Sequence, residues 1–141
     1  MKKVEKILIP LDGSNCSERV LPEVEKFATE SNATLALLRV AFAYPFTGVD
    51  PIDAEVKAIR EAEDYLQRIE DQLKAKGLKV ESHVRYGQEA DEILDHASQK
   101  DIDLIAMATQ DGSWIKRFLY GNVAEKVHRN STKPVFLVRC V

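Results

Sequence analysis

The chain has 141 residues, 45% of them hydrophobic, which is enough for one core, so we expect a single domain over residues 1–141. Its 23 acidic and 20 basic residues give a net charge of -3, which argues against nucleic acid as a partner. Its apolar runs are shorter than the ~20 residues of a membrane span, and the run before Asp12 is too short for a signal peptide. We therefore expect a soluble, cytoplasmic protein with no membrane partner.

Short apolar segments alternate with segments of helical spacing along the chain. The apolar, β-branched segments predict strands at residues 4–11, 33–43, 78–86, 102–107 and 134–141. The segments between them predict helices at residues 17–30, 51–76, 88–99 and 122–129. This order predicts an α/β fold, a doubly wound parallel sheet of five strands with four helices on its two faces.

Two of the predicted helices carry informative residues at their ends. Pro22 is tolerated in the first helix only near its start, because proline lacks the backbone N–H that a helix interior requires. For the second helix, Asp50 is suited to cap the N-terminus, Pro51 to the first helical position, and Gly77 to a left-handed conformation after the last turn. The sequence leaves open whether residues 44–51 fold over a ligand site.

Two segments that follow strands are candidates for ligand contact, because doubly wound folds bind ligands beyond the carboxyl ends of their strands. The polar turn Asp12-Gly13-Ser14 follows the first strand, and contacts within the turn, with Ser17 as helix cap, explain it as well as a ligand does. Residues 108–121 form a long predicted loop that ends at a helix N-terminus, where backbone amides can hold phosphate. A capping box between Asn122 and Glu125 would use the same amides internally.

The cysteines and histidines give no sign of a metal site. Cys16 and Cys140 match no zinc-ligand spacing and lie far apart in the sequence, so we expect two free thiols, with no partner visible for a redox role of Cys16. His83, His96 and His128 share no spacing with acidic or cysteine partners, and we expect surface or boundary positions for them.

Four segments in order resemble the universal stress protein family along nearly the whole chain. They are ILIPLDGS, LLRV, YGQEADEILDHASQKDIDLIAMAT and KRFLYGNVAEKVHRNSTKPVFLVR. The resemblance implies a Rossmann-like, HUP-type domain with strand order 3-2-1-4-5. It also implies a homodimer through the last strand, here residues 135–141, and a role in the stress response. In family members that bind nucleotide, the positions matching Asp12 and Val40 contact the nucleoside.

The resemblance also locates a phosphate loop, which is degenerate in this chain. The family pattern is Gly, two residues, Gly, nine residues, Gly and then Ser or Thr, and its positions fall on Ala108, Asp111, Gly121 and Asn122, so only Gly121 is kept. A carboxylate about 4 Å from phosphate costs ~1 kcal/mol in water and ~4 kcal/mol at an effective dielectric of 20. Asp111 should therefore weaken ATP binding by roughly one to three orders of magnitude, although Gly112 and a bridging Mg²⁺ would offset part of this loss.

Two functions remain open. The first is a non-enzymatic, dimeric stress-response module with weak or absent ATP binding. The second is a nucleotide sensor that binds ATP or AMP with Mg²⁺ and hydrolyses ATP slowly. No Walker loop, catalytic triad or GxGxxG motif is present, so we expect no further enzymatic activity. The candidate nucleotide-binding residues are Asp12, Gly13, Val40, Ala108, Thr109, Asp111, Gly112, Gly121, Asn122 and Val123.

Overall fold

Strands and helices alternate in the computed structural model, which describes residues 3–45, 47–99, 101–110 and 122–140. The strands are β1 (Lys6–Pro10), β2 (Thr34–Ala41), β3 (Lys79–Tyr86), β4 (Leu104–Gln110) and β5 (Val135–Cys140). The helices in the described ranges are α1 (Asn15–Glu18), α2 (Leu21–Ser31), α3 (Pro51–Lys74), α4 (Glu89–Gln99) and α5 (Asn122–Asn130).

The strands form one parallel sheet in the order β3-β2-β1-β4-β5, which confirms the predicted topology. Because side chains alternate across a strand, Ile7 and Ile9 pack on one face of the sheet, with residues of α2 and α3. Leu8 packs on the other face, with residues of α4 and α5. The central strand β1 is thus buried on both faces, and the carboxyl ends of the parallel strands lie at a common edge.

The first predicted helix is wrong in its continuity. In place of one helix over residues 17–30, α1 ends at Glu18 and α2 starts at Leu21. Pro22 lies in the first turn of α2, where it loses no hydrogen bond, and in a continuous helix its ring would collide with the carbonyl of Glu18. The predicted cap also shifts, because the Ser14 Oγ accepts from the Ser17 N–H at 3.1 Å and Ser17 itself is buried.

The boundaries of α3 follow the prediction closely. The Asp50 carboxylate accepts from the Ile52 N–H at 2.8 Å, and Pro51 is the first helical residue. The helix ends at Lys74, two residues before the predicted end, and Gly77 has the expected left-handed conformation with a φ of 86°. Among the described residues, no helix combines the length and the apolar character that a membrane crossing requires.

The fourth strand is longer than predicted. We expected it to end at residue 107 and a loop to begin at Ala108, but β4 continues to Gln110. Ala108 and Thr109 pair with Val138 and Arg139 of β5, because the neighbouring strand provides hydrogen-bonding partners over this whole length. Both residues therefore belong to the sheet and not to the loop.

The prediction of two free thiols is wrong. Cys16 and Cys140 form a disulfide with a Cα–Cα distance of 5.4 Å. Cys16 lies in α1, directly after β1, and Cys140 ends β5, so both lie at the edge where the parallel strands end. Their separation of 124 residues in the sequence hid this proximity.

The expected surface or boundary position is wrong for His96, which is only 4% exposed. Helical spacing places it on the inner face of α4 beside the buried Ile93 and Ala97. Its ring lies 4.9 Å from that of His83, and His128 is exposed. Within the described ranges, no three His, Cys, Asp or Glu side chains come close enough to hold a metal ion.

Candidate functional site

The turn after β1 is organised by the Asp12 carboxylate. Its Oδ1 accepts from the Ser14 N–H at 2.8 Å and from the Ser14 hydroxyl at 2.5 Å. Burial raises the pKa of Asp12, but the bonds from Ser14 and the charge of Arg39 outweigh that effect and hold it below its ordinary value of 3.8. Asp12 is therefore an ionised acceptor at neutral pH.

An open cleft of about 800 Å³ lies beyond the carboxyl ends of β1, β2 and β3. Asp12 lines it from the first turn, residues 39–42 from β2 and its continuation, and residues 87–91 from the start of α4. Val123 and Lys126 of α5 complete the opposite side. The Lys126 ammonium pairs with the Asp91 carboxylate at 2.9 Å and so connects α5 to α4.

The cleft brings together three of the sequence-predicted site residues, namely Asp12, Val40 and Val123. Gly13 lies beside it in the first turn with a φ of 88°, and an added Cβ would collide with the Arg39 guanidinium. Ala108 and Thr109 do not line the cleft and belong to the β4–β5 pairing. Asp111, Gly112 and Gly121 lie outside the described residues, as does the side chain of Asn122, so the phosphate loop remains a prediction.

The peptide groups of Val40 are available to a ligand. Pairing of β1 with β2 ends at Pro10 opposite Leu38, and the Leu11 N–H donates to the Leu38 carbonyl at 2.8 Å. Alternate residues of a parallel strand direct their peptide groups to the same neighbour, so Val40 directs its N–H and C=O toward β1. Since β1 has ended at this level, these two groups face the cleft.

Arg39 is a cleft residue that the sequence reasoning missed. Its guanidinium carbon lies 5.2 Å from the centre of the Tyr65 ring, on the α3 side of the sheet. The Nε and Nη1 atoms are buried and find no acceptor among the described residues. One signal was available, because Arg39 is the one charged residue in the strand segment TLALLRVA.

Glu89 is the second cleft residue that was missed. Burial and the nearby Asp12 carboxylate raise its pKa above the ordinary value of 4.5, and Arg39 opposes this shift. The Glu89 carboxyl group has no hydrogen-bond partner within the part of the chain that the structure describes. In sequence it looks like an ordinary acidic residue in the first turn of a helix, so nothing marked it.

Aromatic rings form the rim of the cleft beside β2. Phe42 and Tyr44 line it, with their ring centres 4.8 Å apart, and the Tyr86 ring stacks with that of Phe42 at 6.3 Å. Tyr44 is 69% exposed. Its ring is therefore accessible to a ligand as far as the described residues are concerned. The sequence left open whether residues 44–51 fold over the site. Tyr44 borders the cleft, and residue 46 lies outside the described residues.

The model of the universal stress protein family matches residues 3–139. The chain belongs to this family. YxiE, a universal stress protein of Bacillus subtilis, is 32% identical over 147 residues, covering 95% of this chain and 98% of the relative. The structure of MJ0577 of Methanocaldococcus jannaschii has a TM-score of 0.83 at 30% identity and covers 99% of both chains. A universal stress protein solved in complex with cAMP shares the fold, with a TM-score of 0.74 at 23% identity, over 97% of this chain and 98% of that one.

Proposed function

We propose that this universal stress protein is a non-enzymatic, dimeric module that holds the nucleoside part of an adenine nucleotide in the cleft. The main support is that three features border one cavity of sufficient size: the Asp12 carboxylate, Val123, and the peptide groups of Val40, which face the cleft among the described residues. The exposed aromatic rim adds a surface for stacking a base. A family member of the same fold has been solved with cAMP, which makes cyclic and linear monophosphates the first ligands to test.

Triphosphate binding should be weak. Of the phosphate-loop positions, only Gly121 is kept, and Asp111 puts a carboxylate at one of the others. Like charge at this point lowers affinity for ATP more than for AMP or cAMP. The protein should therefore respond to monophosphates, and any role in the stress response would follow from that preference.

Calorimetric titration of the purified protein with AMP, cAMP and Mg-ATP tests this proposal. We expect the monophosphates to bind more tightly than ATP, and the Asp111→Gly, Asn122→Ser variant to gain roughly ten- to a thousandfold in ATP affinity. Micromolar binding of ATP by the natural protein would favour the nucleotide sensor with slow hydrolysis. Absence of binding by all three nucleotides would refute the proposed function.

Dimerisation through β5 is the second part of the proposal. β5 is an edge strand of the sheet, and an unpaired edge favours association with a second copy. Phe136 and Leu137 on this strand are 44% and 37% exposed, so two large apolar side chains lie open at this edge of the sheet. Both features support an interface that involves residues 135–140.

A further inference from the structure

Glu89 is the first residue of α4, which follows β3, whereas Asp12 follows β1. Strand β2 lies between β3 and β1 in the sheet. The Gly87 N–H donates to the Ala41 carbonyl at 3.0 Å, which joins the end of β3 to the end of β2 just before α4 starts. This bond holds Glu89 close to the level of Val40, whose peptide groups face the cleft. Glu89, Val40 and Asp12 all line the same cavity.

The Glu89 carboxyl group is partly buried and lacks a hydrogen-bond partner among the described residues. Its oxygens are not fully cut off from water, since neither is among the buried side-chain atoms that lack a partner. Partial burial still weakens the hydration of this group, and Arg39 acts on it only through its charge and makes no hydrogen bond to it. A polar group in this position is expected to gain its partner from a ligand.

The other charged and titratable groups among the described residues of the cleft surround Glu89 with charges of both signs. They are Asp12 after β1, Arg39 on β2, Tyr44 after β2, Glu61 on α3, Asp91 on α4 and Lys126 on α5. Asp91 and Lys126 neutralise each other through their ion pair. Burial and Asp12 favour the neutral form of Glu89, whereas Arg39 favours the charged form, and the first two effects are larger.

A neutral carboxyl group carries one donor and one acceptor side by side. Adenine presents the complementary pair on its major-groove edge, where N7 accepts and the 6-amino group donates. Guanine presents two acceptors, N7 and O6, on the same edge and would leave the carbonyl oxygen of the carboxyl group unpaired. A cation fits less well, because the described residues offer no set of three ligands.

We propose that Glu89 is the base-specificity residue of the cleft, with its carboxyl group reading the N7 and 6-amino edge of adenine while the Val40 peptide takes the other edge. This inference rests on the proposed function and adds the residue that selects the base. It also predicts a pH dependence, because only the protonated carboxyl group donates to N7. Binding is strongest at pH values below the raised pKa of Glu89 and weakens as the pH rises through it.

The test compares cAMP with 7-deaza-cAMP, which lacks the N7 acceptor, by calorimetry between about pH 5 and about pH 8. The phosphodiester of both ligands keeps one charge over this range, and the protonation of each base at N1 toward the acidic end is measured on the free ligands and corrected for. With the natural protein we expect cAMP to bind about three- to tenfold more tightly than 7-deaza-cAMP at the acidic end, a preference that shrinks as the pH rises.

Three variants separate recognition from a structural effect. Glu89→Gln keeps a donor and an acceptor, so it should preserve the preference for cAMP and lose the pH dependence. Glu89→Ala should bind both ligands equally at every pH. Glu63→Gln makes the same chemical change at an exposed position of α3 that does not line the cleft, and should behave like the natural protein.

The outcomes also separate this inference from the proposed function. If the natural protein binds cAMP but Glu89→Ala retains its preference and its pH profile, the role of Glu89 is refuted and the nucleotide cleft stands. If the natural protein binds neither cAMP nor AMP, the proposed function is refuted and the role of Glu89 falls with it.

Discussion

At the first turn, the Asp12 carboxylate binds the Ser14 N–H and hydroxyl and also lines the cleft. The sequence left open whether this residue serves the turn or a ligand, and the geometry is compatible with both. Ser14 donates to Oδ1, and a ligand would bind at the second carboxylate oxygen. The same carboxylate can thus stabilise the turn and contact a ligand.

Asp12 should make folding stability depend on pH. Because its pKa is depressed in the folded state, its contribution is present above the ordinary value of 3.8 and is lost as the pH falls through the lower folded value. Asp12→Asn should therefore be less stable than the natural protein at neutral pH, with the difference shrinking in acid. Urea unfolding between about pH 7 and about pH 3 measures this. A difference that stayed constant with pH would contradict it.

Gly13 should be harder to replace than other glycines with positive φ. Gly13→Ala combines a left-handed backbone, which costs about 1–2 kcal/mol, with a collision against Arg39. Gly77→Ala is the matched control, since Gly77 has a similar φ of 86° but open space around its Cα. In urea unfolding, Gly13→Ala should lose more stability than Gly77→Ala. Equal losses would show that Arg39 moves aside without cost.

Sequence reasoning selected three of the residues that line the cleft and did not select two others. Asp12, Val40 and Val123 were predicted from the turn, the resemblance and a helix N-terminus, and all three line the cleft. Arg39 and Glu89 were missed because their importance depends on burial and on hydrogen-bond partners from distant segments. Neither property can be calculated from local spacing.

At the scale of elements, the pattern of apolar residues predicted the order and type of the helices and strands, and the boundaries were less certain. Helix α3 was predicted well because Asp50, Pro51 and Gly77 are local signals. The end of β4 was not, because strand length depends on the partner strand β5. The helix breaks before Pro22 because proline lacks the backbone N–H and its ring collides with the preceding turn. The prediction of one continuous helix gave this too little weight.

The disulfide ties α1 to the end of β5 and should stabilise the fold. Its loop encloses nearly the whole chain, and a loop of this length predicts about 3–5 kcal/mol of stabilisation over the reduced form. The Cys16→Ser, Cys140→Ser variant should match the reduced natural protein in thermal unfolding, and both should melt below the oxidised protein. Identical melting of oxidised and reduced protein would contradict this expectation, and peptide mass mapping of the bond provides the control.

At the scale of the whole molecule, the strand order brings the ends of β1, β2 and β3 together with the start of α4 and so forms the cleft. Residues from Asp12 to Lys126 meet there, although more than a hundred positions separate them in the sequence. The doubly wound parallel sheet was predictable because sheets with helical crossovers follow few rules, whereas the strand order was predicted from the family resemblance. The phosphate loop stays a prediction, because residues 111–121, which follow the end of β4 at Gln110, lie outside the described residues.

The proposed dimer should depend on the apolar residues of β5. Phe136→Glu introduces a charge at an exposed position of this edge strand, where it would oppose pairing with a second copy. We expect the natural protein to be a dimer in sedimentation equilibrium and the variant to be a monomer. Phe27→Glu, at a 41% exposed position on α2, is the matched control and should leave the mass unchanged. A monomeric natural protein would refute the interface.

Chemical-shift mapping of the ¹⁵N-labelled protein during titration with AMP tests the cleft most directly. We expect the amide signals of Asp12, Val40 and residues 87–90 to shift together and to saturate at one affinity. Those of the last turns of α2, a helix that does not line the cleft, should stay in place. Shifts confined to other surfaces, or no shifts at saturating AMP, would contradict the assignment of this cleft as the nucleotide site.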